Sequence, residues 1–92
     1  MKSIALDSKD LGDIINYHRK RAGLSRKRLS ALSGVGKTAL YDVEKGKTSV
    51  RLDTLIGILR TLNIELRVMS PLMADWQDAA PRTERETGKV LR

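Results

Sequence analysis

The chain has 92 residues, no cysteine, one histidine, and 18 Lys+Arg against 11 Asp+Glu, a net charge of +7 at neutral pH. This length holds one small domain with room for a tail, and it excludes most enzymes built on an extended parallel sheet. Disulfides, thiolate metal sites and His-rich zinc centres are excluded by composition, and no apolar run is long enough to span a bilayer.

Four short helices are predicted in chain order. The first runs over 9–22. Ser8 or Asp7 caps it, Asp10 and Asp13 suit its positive end, and Gly23 stops it. Leu11, Ile14, Ile15 and His18 recur at i, i+3, i+4 and i+7, an inward stripe that makes His18 a packed core-edge histidine. The second helix covers 26–32, with Ser25 as cap, Leu29 and Leu32 inward, and Gly34 as its end. The third covers 37–45, with Leu40 and Val43 inward and Gly46 as terminator. The fourth covers 52–62, striped by Leu52, Leu55, Ile56, Leu59 and Leu62, with Asn63 as a left-handed exit. Ile64-Glu65-Leu66-Arg67-Val68-Met69 then alternates apolar and polar, the pattern of one half-buried strand. Its backbone needs a neighbour. Ile4-Ala5-Leu6 is one candidate, and the same strand of a second copy is the other. The second is preferred, because it also buries Leu66 between subunits. After Pro71 the periodicity fades, with Leu72, Met73 and Trp76 able to form one short apolar turn. Two regions follow: a domain over 1–70 and a tail over 71–92. The whole charge excess lies in the first, and the tail is neutral. Met1-Lys2-Ser3-Ile4 lacks the long apolar core of a signal peptide, so a cytoplasmic protein is expected.

A strongly basic small chain points to a polyanion partner, usually nucleic acid, with a merely solubilising surface as the alternative. The spacing between helices two and three sharpens this. Only Ser33-Gly34-Val35-Gly36 separates them, the signature of a helix-turn-helix. In that motif one helix lies across the DNA backbone and the turn steers the next into the major groove. Leu11-Gly12, Arg19-Lys20, Gly23-Leu24-Ser25, Leu29, Ser33-Gly34-Val35, Glu44-Lys45-Gly46-Lys47 and Leu52-Asp53-Thr54-Leu55 resemble, in order, the lambda repressor/Cro-like (XRE) family. The resemblance covers about residues 11–63. The stretch 46–55 followed by Leu62-Asn63-Ile64-Glu65-Leu66 is more narrowly similar to HipB-type antitoxins. This implies an all-α fold: a small helical bundle with a lambda-repressor-like helix-turn-helix, then one C-terminal β-strand that pairs across a homodimer through Ile64, Leu66 and Val68. It also implies repression of its own operon and a HipA-type kinase toxin as partner. Arg19 is implied to pair with Glu44. Two positions depart from the family pattern: Arg26 stands where Gln is usual, and Gly36 where Ser is usual.

The candidate DNA-binding residues are Arg26, Lys27, Arg28, Lys37, Thr38, Tyr41, Asp42, Lys45 and Lys47. Arg26, Lys27 and Arg28 open a helix, where each exposed cation costs about 0.3–1 kcal/mol against the dipole. A phosphate over that helix start explains the arrangement, and a solvated basic face is the bland alternative. Lys37, Thr38, Tyr41 and Asp42 share one side of the third helix. Lys37 suits guanine O6 and N7, Thr38 offers a hydroxyl or methyl, and Asp42 accepts from cytosine N4 or pairs with a nearby cation. Lys45 and Lys47 flank Gly46, in a loop that lies along the DNA backbone in the family. Ala31-Leu32-Ser33-Gly34-Val35-Gly36-Lys37-Thr38 also satisfies a loose phosphate-loop pattern. That mechanism needs a preceding buried strand, and 25–30 has helical period instead. No catalytic set accompanies His18.

The expected function is a sequence-specific repressor, not an enzyme, with no cofactor and no metal. Its partners are double-stranded DNA with a palindromic operator, a second copy, and a HipA-like kinase toxin, with no membrane. A plain XRE regulator without a toxin is the alternative, and a nucleotide-binding protein a remote one.

Overall fold

The computed structural model describes residues 4–79. Five helices follow one another: α1 (Ser8–Arg21), α2 (Arg26–Ser33), α3 (Lys37–Glu44), α4 (Leu52–Thr61) and α5 (Met73–Ala79). The first four pack into a bundle in which α3 touches α1, α2 and α4. Ile15, Leu29, Leu40 and Ile58 are fully buried at its centre, joined by Val43, Leu55 and Leu59. Each such side chain stabilises the fold by about 1.5–3 kcal/mol on burial. The core is aliphatic throughout.

The helix ends follow the local chemistry. Asp7, rather than Ser8, caps α1, its side chain accepting from Lys9 N at 2.9 Å and Asp10 N at 3.2 Å. Ser25 caps α2 through Arg28 N. Both α1 and α4 end in a Schellman arrangement. Leu24 N donates to Arg19 O and Gly23 N to Lys20 O, while Ile64 N donates to Leu59 O and Asn63 N to Arg60 O. Asn63 takes the left-handed conformation expected of it, at φ 59°.

Several expectations need correction. His18 is exposed, not inward, with Nδ1 against Ile14 O and its ring edge-on to Tyr17. The buried face of α1 is instead Gly12, Ile15 and Arg19. Leu32 and Leu52 also stand outward, 52% and 67% exposed. Among the described residues no strand forms. Residues 64–70 adopt no regular structure, and neither they nor Ile4-Ala5-Leu6 find a ladder partner among the described residues. Ile64 packs against the core of its own chain, whereas Leu66 and Val68 face outward. The apolar turn expected around Leu72, Met73 and Trp76 is a seven-residue helix, α5, with no buried residue. The rest of the tail, residues 80–92, lies outside the described residues.

Two glycines set the geometry that matters for function. A Cβ at Gly12 would lie 2.5 Å from Val43 O and 2.8 Å from Glu44 O. Only hydrogen fits there, so Gly12 lets α1 lie directly on the C-terminal end of α3. Gly34 ends α2 at φ 73°, a conformation that L side chains rarely adopt. The turn it begins is locked by two serines. Ser33 Oγ donates to Leu29 O at 2.7 Å and accepts from Val35 N, and Ser30 Oγ donates to Val35 O.

Candidate nucleic-acid interface

The α2–turn–α3 unit presents the first turns of both helices on one side. Gly36 is the N-cap of α3 and supplies no side-chain acceptor. Lys37 and Thr38 follow it, fully outward, and Tyr41 lies one turn on, 46% exposed. Leu40 and Val43 hold the opposite side of α3 in the core. The recognition helix is thus anchored by its apolar face, and its polar face stands free to meet a groove.

Beneath that face sits a buried ionic cluster. The Glu44 side chain is 1% exposed. Arg19 grips it twice, Nε to Oε2 at 2.7 Å and Nη2 to Oε1 at 3.1 Å, and its Nη1 donates to Leu24 O. The pairing implied by family resemblance is therefore present. Asn16 Nδ2 also donates to Oε1, at 2.7 Å, and Arg26 Nε at 3.2 Å. Three donors converge on one carboxylate oxygen, and Arg26 is the longest of them. Burial pushes the Glu44 carboxyl up. Hydrogen bonds from Arg19 and Asn16 and the charges of Arg19 and Arg26 outweigh that and hold it below the ordinary glutamate value.

Arg26 joins this cluster to the exposed face. Its guanidinium carbon lies 5.2 Å from the Tyr41 ring centroid, and Lys45 Nζ lies 5.3 Å from the same centroid. Both distances fall within cation–π range. Arg26, Lys37, Thr38 and Tyr41 then line one shallow, mostly apolar cleft of about 360 Å³. A second, more polar hollow of about 640 Å³ lies on the α1 side, lined by Lys9, Asp13, Asn16, Lys20, Arg26, Glu44, Lys45 and Gly46.

Four of the nine candidate residues thus surround a single cleft, and Lys45 supports its tyrosine. Lys27 and Arg28 are exposed on the first turn of α2. Asp42 and Lys47 pair with each other at 3.5 Å, and Lys47 N donates to Asp42 O, so Asp42 steadies the loop after α3. Reasoning from sequence missed three participants: Asn16, Gly12 and the inward bonds of Arg26. Hydropathy carries no signal for a polar residue that faces a buried carboxylate. The phosphate-loop alternative fails on context, because the residues before Gly34 form helix α2 and not a strand.

Comparisons with known proteins agree with this architecture. A helix-turn-helix family model matches residues 15–69, more than half of the chain. The chain belongs to that family, the XRE-type helix-turn-helix transcriptional regulators. Among its relatives is an uncharacterised helix-turn-helix regulator of Sinorhizobium fredii, 27% identical over 62 residues, spanning 67% of this chain and 82% of the relative. Another is the ImmF control region 10 kDa protein of Bacillus phage phi105, 33% identical over 64 residues, 70% of this chain and 71% of that protein. Similar solved structures include HipB bound to an O4 20-mer (TM-score 0.67, 16% identity, covering 76% of this chain and 99% of that one). A HipA–HipB–O2–O3 complex is similar too (TM-score 0.66, 17% identity, covering 77% and 99%). At such identity the likeness is one of fold. No described helix is long and apolar enough to cross a membrane.

Proposed function

We propose that the protein is a sequence-specific repressor that binds a palindromic operator as a homodimer. The observation that carries this reading is the recognition helix. Lys37, Thr38 and Tyr41 stand outward on its first two turns, beside the cations that open α2, with Leu40 and Val43 fixing the helix from behind. In such dimers two recognition helices meet successive major grooves about 34–36 Å apart. Arg26, Lys27, Arg28, Lys45 and Lys47 supply the phosphate-facing charge, and Ile64, Leu66 and Val68 the subunit contact. Residues 1–70 form the DNA-binding and dimerisation unit, and 71–92 the tail.

Within that class, we infer an antitoxin of the HipB kind that represses its own operon and neutralises a HipA-like kinase. The fold likeness to HipB supports this, as do the exposed apolar groups beyond the subunit contact, Met69, Leu72 and Trp76, which a protein partner would cover. The test is a footprint of the full-length protein on the promoter of its own gene, at two salt concentrations. Protection of a two-fold symmetric site, weakening steeply with salt, is expected. Lys37→Ala should lower the preference for that site over random duplex. Absence of any protected site sinks the repressor reading. Failure to co-purify with a kinase encoded beside the gene leaves a plain XRE-type regulator.

A further inference from the structure

The cleft at the start of the recognition helix has an unexpected lining. Its four residues are Arg26, Lys37, Thr38 and Tyr41, yet the surface they turn into it is mostly apolar. The carbon these residues have to offer is the stems of Arg26 and Lys37, the Thr38 methyl and the Tyr41 ring. Arg26 keeps its stem in place because its head is held by Glu44 Oε1 and by the Tyr41 face. The Tyr41 ring is steadied in turn by Lys45. An apolar floor is therefore ringed by cations, on the part of α3 that enters a groove.

We propose that this cleft receives the C5-methyl group of a thymine in the major groove. The inference rests on the reading of the chain as a DNA-binding regulator and adds to it a base preference. Of the base edges in the major groove, the thymine methyl is the apolar feature. The surrounding cations match the phosphates and acceptor-rich purine edges that flank it, so one occupant satisfies both floor and rim. A free small molecule fits less well, because binding pockets for such ligands enclose most of their surface and this cleft is shallow. Arg26, where the family usually has Gln, acts here through its stem as a specificity residue, and Tyr41 is the wall that positions it.

The test uses the full-length protein and an operator selected by it from random-sequence duplexes. Each thymine in the selected site is replaced by deoxyuridine, which removes only the methyl. One symmetric pair of thymines should lose about 4-fold in affinity per half-site, the effect of one buried methyl, and the remaining thymines should be silent. That loss should disappear in Tyr41→Ala, and it should shrink in Thr38→Ser, which removes one methyl from the lining and keeps the hydroxyl. If Tyr41→Ala abolishes binding, Thr38→Ser alone decides. Specific binding with every thymine-to-uracil change silent overturns the cleft assignment while leaving the repressor reading intact. A loss that persists undiminished in both variants places the methyl elsewhere and overturns it as well. If no duplex is preferred over competitor, the repressor reading fails first.

Discussion

The seam between α1 and α3 buries charge, whereas the segment after Asn63 exposes apolar groups. At the seam, charge lies inside: Glu44 and Arg19 are each 6% exposed, closed over by Asn16 and Arg26. After Asn63, apolar side chains lie outside. Val68 is 79% exposed, Met69 85% and Trp76 58%, while Glu65 and Arg67 pair with each other in water. The first arrangement is complete within one chain, because the buried carboxylate is hydrogen-bonded within the chain. The second is open, because Val68, Met69 and Trp76, which gain most from burial, stay exposed among the described residues. The difference teaches which part of the molecule is self-sufficient. The recognition helix is held by its own chain, and the C-terminal side is where the proposed subunit contact would add burial.

Substitutions that separate the two regions should differ sharply in kind. The largest effect is expected for Glu44→Gln, which leaves the buried Arg19 without its counter-charge and should cost about 3–5 kcal/mol in urea unfolding. The same bond sets an acid response. Because the folded pKa of Glu44 is lowered, its contribution is fully present above the unfolded value, about 4.3, and is lost as pH falls through the folded value. Unfolding midpoints should therefore fall below about pH 4.3, and this component should be missing in Glu44→Gln. Gly12→Ala comes next. The added methyl meets the Val43 and Glu44 carbonyls and forces α1 off α3, at about 1–3 kcal/mol by thermal unfolding.

The C-terminal side should answer differently. Leu66→Asp together with Val68→Asp should change the unfolding free energy of the isolated subunit by no more than about 0.5 kcal/mol, as for exposed sites generally. In sedimentation, the proposed subunit contact predicts a dimer for the parent and a monomer for this variant. A loss of helix content in that variant would show that the segment belongs to the core after all and would break the contrast. The smallest effect is Gly36→Ser. Open space surrounds Gly36 and its φ is −62°, so a serine fits and can cap α3, adding a few tenths of a kcal/mol.

Much of this was legible in the residues. Four helices and their ends follow from period and capping, and Asn63 from its place after the Leu-rich stripe. The phase of α1 was harder to read. A stripe of apolar letters leads to His18, but the buried face runs through Gly12 and Arg19, which hydropathy scores as poor core residues. A glycine is inside because a backbone must approach, and an arginine because a carboxylate from another helix waits for it. The alternation over 64–69 predicts a strand that does not form among the described residues, because alternation fixes which side chains share a face but supplies no ladder partner. At the candidate site, the identity of the outward residues was visible from the helical wheel. The inward grip on Arg26 was not, since Glu44 is eighteen positions away along the chain.

The carboxylate of Glu44 has a consequence for anyone who would re-engineer recognition. It is the last residue of α3, yet its partners come from α1 and from the start of α2. The reading head is therefore not a cassette. Transplanting α3 alone into another scaffold would carry a carboxylate into a place with no arginine to receive it. Under the proposed function, recoding is better attempted at Lys37 and Thr38, which make no hydrogen bond to Glu44. A working graft would have to move Gly12, Asn16, Arg19 and Arg26 along with the helix.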